Sequence, residues 1–272
     1  MTLTGSLLKK GDRKKAASLI ARGEVVGVFN RGVCALWFDG GSQGAVAKIE
    51  KIKGENRGKR PVALTLSLDE LIPMLDLERI HPSLHECLLV VSELKSKIGS
   101  FCFIRVPIKS KFVGNIPKKA QTQEVDGTVF IQNWDPFGHD LTADLLELVK
   151  KLGVKYPAVT SMNKTGQPEI VDQAEGERFC KKEGISVFLK DPTAHPRLLG
   201  SYTIINFGME GIKLIRDGNI PVGVIERILE LPINKKGAGK PKFRQMDFPG
   251  HLFSDQAPQA IRQAILNYLK YV

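Results

Sequence analysis

The stretch Pro157-Ala158-Val159-Thr160-Ser161-Met162-Asn163-Lys164-Thr165-Gly166 decides how the rest of the chain is read. Its first half is a short apolar run that predicts a buried strand over Pro157–Thr160, and its second half is polar and small. Alternate residues of an extended segment share a side, so Ser161 and Asn163 project together. Serine supplies a hydroxyl donor and acceptor, and asparagine an amide donor and a carbonyl acceptor. At the end of a strand in an α/β sheet, such a pair stands where ligands bind. The alternative reading is an ordinary polar turn that caps the next element.

Working outward, strands alternate with helices. Upstream, Asp12–Arg22 carries Ala16, Ala17, Leu19 and Ile20 among charges and predicts an amphipathic helix stopped by Gly23. Valine-rich Glu24–Asn30 predicts a buried strand, Arg31-Gly32 a turn, and Val33–Phe38 a second extended stretch. Gly40–Lys53 reads as helix and Pro61–Leu66 as strand. Ser67-x-x-Glu70 is a capping box that opens a further helix. Pro82–Lys97 is helix-like, Ser100–Val106 a strand, and Lys-rich Pro107–Gln123 a loop. Strand Thr128–Gln132 and helix Thr142–Leu152 lead into the opening stretch. Beyond it come helix Glu169–Lys182 and strands Ser186–Leu189, Tyr202–Asn206 and Ile212–Arg216. The alternation predicts an α/β fold with a partly parallel sheet.

From about Val222 the character changes. Asn234–Arg244 (NKKGAGKPKFR) is rich in glycine and lysine and predicts a flexible basic linker. Asp255–Tyr271, with Ile261, Ile265 and Leu266 at helical spacing, predicts a terminal helix that docks back. The expected organisation is one domain over 12–220, followed by a basic linker and helical extension over 221–272.

Composition narrows the function classes. The 272 residues are 42% apolar, which is ordinary for a globular protein able to bury a core without disulfide or metal staples. The four cysteines, Cys34, Cys87, Cys102 and Cys180, make no C-x-x-C pair, so neither a zinc cage nor a disulfide framework is suggested. No H-E-x-x-H occurs. The first residues, Met1–Arg13, are polar and basic with no long apolar run after them, unlike a signal peptide. No stretch approaches the roughly 20 apolar residues that span a bilayer. A cytoplasmic protein with no membrane partner is expected. The net charge of +11 favours encounters with anions such as nucleotides, RNA or a membrane surface without specifying one, and charge carried only for solubility fits it equally.

Two more segments are candidates for chemistry, although alone the first reads more readily as a solvated, charged loop and the arginine of the second as a surface residue. Lys51–Pro61 (KIKGENRGKRP) joins helix to strand; Gly54 and Gly58 let backbone approach a ligand, and its lysines and arginines suit phosphate. Gly200–Asn206 with Ile212–Gly218 forms a hairpin-like pair that carries Ser201 and Thr203 near one end and Arg216 near another.

In this order and at these separations, the three segments resemble the YrdC-type threonylcarbamoyl-adenylate synthase family, which includes YciO-like proteins. The family's Lys-x-Arg and following Pro-Leu look like Lys53-Gly54-Glu55 and Pro61-Val62. Its Thr-Ser-x-Asn-x-Ser-Gly looks like Thr160 to Gly166, the most specific match. Its Ser-Thr-hydrophobic-hydrophobic-Asp looks like Tyr202 to Asn206, with Arg216 as the later arginine. The opening GEVVGVFNRGVCALWFDG is also similar, and the resemblance covers 12–220.

The resemblance implies an α/β, YrdC/RibB-like twisted open mixed sheet with flanking helices. It implies that threonine and bicarbonate combine to a carbamate that attacks the α-phosphorus of ATP, with Mg²⁺ on the triphosphate. The product passes to partner proteins that modify an adenosine beside the anticodon of tRNA. On this reading Lys53, Arg57 and Arg60 meet phosphates, Ser161 and Asn163 the adenylate, and Thr203 and Arg216 close the nucleotide site. Asn30, Thr65 and Ser201 fall on the substrate side. Family members are also associated with double-stranded RNA, which a basic chain that binds RNA or a nucleotide without the synthase reaction would fit. A related transferase with another acceptor is a third reading.

The departures cluster on the threonine side. The family's Pro-Thr-Asp-Thr-x-Tyr-Gly-Leu is Phe29-Asn30-Arg31-Gly32-Val33-Cys34-Ala35-Leu36 here, without the hydroxyls. The second basic residue of Lys-x-Arg falls on Glu55, with Arg57 and Arg60 close by. Arg-x-Pro becomes Gln132-Asn133-Trp134, and glutamine cannot replace a cationic fork.

Overall fold

The computed structural model describes residues 2–30, 32–54, 60–89, 102–136, 140–193 and 198–239, with 245–246 and 260. Arg31, Glu55, Arg57, the end of the helix-like stretch toward Lys97, and nearly all of the terminal helix expected over Asp255–Tyr271 lie outside the described residues.

In chain order the strands are β1 (Leu3–Ser6), β2 (Val26–Asn30), β3 (Val33–Asp39), β4 (Ala63–Leu64), β5 (Cys102–Pro107), β6 (Gln121–Gln123), β7 (Val129–Asn133), β8 (Pro157–Ser161), β9 (Val187–Lys190), β10 (Leu198–Leu199), β11 (Thr203–Gly208), β12 (Gly211–Arg216), β13 (Ile233–Asn234) and β14 (Gln245–Met246). The α-helices are α1 (Lys10–Ala21), α2 (Gln43–Lys53), α3 (Leu68–Leu71), α4 (His85–Leu89), α5 (Ser110–Val113), α6 (Asp140–Lys151), α7 (Gln173–Lys182) and α8 (Val222–Leu229). Twelve of these strands make one mixed sheet in the order β1-β9-β2-β3-β8-β4-β7-β5-β11-β12-β13, with β6 on β7; β10 and β14 pair separately. Among the described residues no helix is long and apolar enough to cross a membrane.

Both faces of the sheet are covered, which is why its central strands read as nearly continuous apolar runs. In β3, Val33, Ala35 and Trp37 join one buried cluster with Ala16 and Ile20 of α1 and Leu145 and Val149 of α6. The alternate residues Cys34, Leu36 and Phe38 join the opposite cluster with Ile49 and Ile52 of α2 and Ile225 and Ile228 of α8. The capping box forms as the sequence predicts: the Ser67 hydroxyl accepts from Glu70 N–H, and Glu70 accepts from Ser67 N–H.

Four features differ from the expectation. The lysine-rich loop Pro107–Gln123 contains α5 and β6, and the Gln121 side chain anchors it by donating to the carbonyls of Val113 and Ile116. Residues 222–229 form a helix whose Val222, Val224, Ile225, Ile228 and Leu229 are buried. The described part of the basic stretch after it is paired to the sheet rather than free. Ile233 and Asn234 run parallel to β12, Gly239 N–H donates to Ile215 O at 2.9 Å, and Gly239 O accepts from Asp217 N–H at 3.2 Å. Main-chain pairing with an open strand edge is blind to composition, so a glycine- and lysine-rich segment can join a sheet that its side chains do not announce. At the other end, β1 pairs with β9, so residues before Asp12 also belong to the sheet.

Candidate active site

A cavity of about 540 Å³ opens on the face that carries α1 and α6. Strand register explains its position. Val159 of β8 stands opposite Ala63 of β4, Ala63 opposite Gln132 of β7, and Gln132 opposite Arg105 of β5. These partners form one rung of side chains on the same face. Phe103, Ile204 and Arg216 form the neighbouring rung across β5, β11 and β12. Small residues at the centre, Ala35, Ala63 and Val159, leave the floor low. An aromatic cluster extends from the lining: Phe103 meets Tyr202 edge-on at 5.7 Å, Trp134 lies tilted 5.5 Å from Tyr202, and Trp134 meets Trp37 edge-on at 6.1 Å.

At one end of this floor lies the loop that follows β8. Helix α2 ends at Lys53, where Gly54 adopts a positive φ of 74° that a residue with a side chain rarely takes. The Lys53 ammonium is buried and donates to Asn163 O at 2.9 Å and Asn163 Oδ1 at 3.0 Å, and it also meets Ser161 O and Oγ. The Ser161 hydroxyl donates to Asn163 Oδ1 at 2.6 Å, and Asn163 Nδ2 donates to Gln167 O at 2.7 Å. Met162 between them points away into the opposite cluster, against Cys180. Ser161 and Asn163 therefore share the pocket side, as alternation predicts, and Lys53 locks them there.

At the other end stand two guanidinium groups. Arg105 Nε–H donates to Gln132 Oε1 at 3.0 Å. Arg216 donates to Tyr202 O at 2.8 Å and lies 3.9 Å from the buried carboxylate of Glu169. Burial pushes the Arg105 guanidinium down to about 10, and the like charge of Arg216 adds to that. Burial also lowers Arg216, opposed by Glu169 and reinforced by Arg60. Among the described residues the lining thus brings Lys53, Arg60, Arg105 and Arg216 together against one carboxylate, Glu169. Three buried polar atoms on lining residues, Asn30 Oδ1, Glu169 Oε2 and Arg216 Nε, have no hydrogen-bond partner among the described residues. An excess of desolvated cations with unused donors is a site for an anion that carries several oxygens.

Of the residues singled out from sequence, Lys53, Arg60, Ser161, Asn163, Arg216, Asn30 and Ser201 line this one cavity. Two others do not. The Thr65 hydroxyl donates to Pro157 O at 3.1 Å, and the Thr203 hydroxyl donates to Ile220 O. Both threonines are fully buried and serve the packing of neighbouring strands. Sequence reasoning missed Arg105, Phe103 and Glu169. The signal for Arg105 was present: it is the one charge in Cys102-Phe103-Ile104-Arg105-Val106-Pro107, an otherwise apolar strand, and such a charge needs a reason to be there. His81 and His85 stand four residues apart, but His85 Nε2 contacts the carbonyls of Leu77 and Ile80, and His81 Nδ1 meets Ser83. Among the described residues no group of three or more potential metal ligands occurs.

The strand order and the position of this pocket can be set against solved structures. The Sua5 protein of P. abyssi, in a crystal structure with L-threonine, superposes with a TM-score of 0.66 at 19% identity, over 90% of this chain and 69% of that one. E. coli YciO superposes with a TM-score of 0.59 at 13% identity, over 80% of this chain and 96% of its own. The chain has the YrdC-type fold. A third structure, full-length HypF in its phosphate- and nucleotide-bound form, matches with a TM-score of 0.52 at 17% identity, over 76% of this chain and 29% of that one. The chain spans about two thirds of the Sua5 chains, 66% and 69% in two structures. No protein-family model matches the sequence, and no curated protein matches it at the level of sequence. The chain thus shares this fold at 13–19% sequence identity, and Asn30 and Gln132 both lie inside the pocket.

Proposed function

We propose that this chain is a diverged YrdC-type enzyme that forms threonylcarbamoyl-AMP from ATP, L-threonine and bicarbonate. The observation that carries the reading is the cavity itself: among the described residues four cations face one carboxylate beside the locked Thr160–Gly166 loop, on a fold shared with Sua5 and YciO. Threonine's amine and bicarbonate condense to a carbamate with loss of water. A carbamate oxygen then attacks the α-phosphorus of ATP, the bond to the β-phosphate bridging oxygen breaks, and pyrophosphate leaves. Such a reaction asks the protein for positioning and charge stabilisation rather than for a covalent nucleophile. Lys53 with Ser161 and Asn163 shapes the nucleotide end, and Arg60 and Arg216 offset charge on the phosphates. Mg²⁺ would be held largely by phosphate oxygens and waters, with Glu169 the carboxylate that the described lining residues offer it.

On this reading the product goes to partner proteins that modify an adenosine of tRNA. The net charge of +11 favours a second reading, a nucleotide- or double-stranded-RNA-binding protein without the reaction. Mass spectrometry of the protein incubated with ATP, Mg²⁺, bicarbonate and threonine separates the two. The synthase reading expects threonylcarbamoyl-AMP that disappears when threonine is left out. Bound ATP with no adduct, together with RNA affinity that falls steeply with salt, would replace it by the second.

A further inference from the structure

The family motif that the sequence resembles has an arginine where this chain has Gln132, and a glutamine amide carries no charge. The missing charge stands one strand away. Arg105 of β5 is the direct register partner of Gln132 on β7, on the same face of the sheet. Its Nε–H is taken by Gln132 Oε1 at 3.0 Å, which fixes the guanidinium plane and leaves its terminal amino groups without an acceptor among the described residues. Phe103 precedes it by two residues on the same face, and Ile204 pairs with Phe103, so the fork is bordered by an apolar wall. Lys53 and the Ser161–Asn163 network lie on the far side of the floor. From β8 to β5 there are three strand spacings, about 14 Å.

A triphosphate suits Lys53 with Arg60 and Arg216, whose guanidinium lies 3.9 Å from Glu169 just past the Thr160–Gly166 loop, and a short organic acid suits the Arg105 fork where it adjoins apolar side chains. We propose that Arg105, oriented by Gln132, binds the carboxylate of the amino-acid acceptor and thereby sets which acceptors the pocket accepts. The assignment rests on the acceptor reading above, but its test does not require turnover.

Titration calorimetry of the intact chain and of Arg105→Met would use L-threonine, L-threoninamide and ATP as probes, with thermal melts to verify folding. The unaltered chain is expected to prefer threonine over threoninamide by about 10- to 100-fold, the range for a charge-assisted bidentate pair. Arg105→Met is expected to lose that preference while ATP affinity stays within about twofold. The exchange variant R105Q/Q132R, which returns the arginine to the family's strand, is expected to recover most of it. A preference that survives in Arg105→Met overturns the assignment. So does a loss of ATP affinity as large as the loss for threonine, because the residue would then read phosphate. If threonine does not bind, L-serine, L-valine and L-leucine are titrated against their amides. An Arg105-dependent preference for one of these acids keeps the inference and sinks the threonine reading, whereas binding of no amino acid overturns the inference.

Discussion

Lys53→Met is expected to cut ATP-dependent turnover about 100-fold and to lower the melting temperature by roughly 8 °C. Methionine fills nearly the same space, so the effect comes from the lost charge and donors rather than from a cavity. Lys53 is 4% exposed, and its ammonium gathers four oxygens, two from Ser161 and two from Asn163. Without it, two carbonyls and the Asn163 amide oxygen converge with only the Ser161 hydroxyl left to donate among them. Leaving buried acceptors unmade costs about 1–3 kcal/mol each, partly relieved if the loop opens to water. Opening is what destroys the site, because the same loop supplies Ser161, Asn163, Thr165 and Gly166 to the cavity. Lys53 also closes the last turn of α2, where a cation opposes the partial negative charge of the helix end. Circular-dichroism melts and ATP titrations measure the two effects separately. A variant that binds and turns over ATP as well as the unaltered chain would remove the Thr160–Gly166 loop from the nucleotide site.

What the sequence made legible was local. The capping box needs only Ser67 and Glu70, three residues apart, and it forms as read. Strand β8 and the shared side of Ser161 and Asn163 follow from alternation within one segment. Helix α8 was hidden because Val222-Gly223-Val224-Ile225 combines β-branched residues with a glycine, a weak helix former; burial of its apolar face outweighs that propensity. The role of Arg105 was hidden for another reason. It depends on which residue of β7 stands across from which residue of β5, and a one-residue slip in register would turn Arg105 to the opposite face. Thr203 shows the same dependence on tertiary structure. Its motif position suggested a ligand hydroxyl, yet the nearest acceptor is Ile220 O, supplied by a segment that folds back only in three dimensions.

That returning segment is the basis of the second large effect. Gly218→Ala is expected to destabilise the protein by about 3 kcal/mol or more and to weaken anion binding with it. A Cβ at Gly218 would lie 2.1 Å from Thr203 N, 2.3 Å from Tyr202 C and 2.5 Å from Ser201 O. All three are backbone atoms, so no side-chain rotation can relieve the contact. The approach is held from both sides: Asn219 N–H donates to Ser201 O at 2.8 Å, Arg216 donates to Tyr202 O at 2.8 Å, and the Thr203 hydroxyl reaches Ile220 O. Pushing the two strands of backbone apart stretches each of these bonds and carries Arg216 away from Glu169 and the cavity. Gly223→Ala is the matched control, since nothing lies within 4 Å of its Cβ position in helix α8, and alanine there is expected to stabilise by about 0.5–1 kcal/mol. Denaturant melts of the two variants give opposite signs if close backbone packing at Gly218 is what holds the arginine end of the pocket. Equal stability of Gly218→Ala and the unaltered chain would mean that the 201–203 wall is free to shift and that Arg216 is positioned by something else.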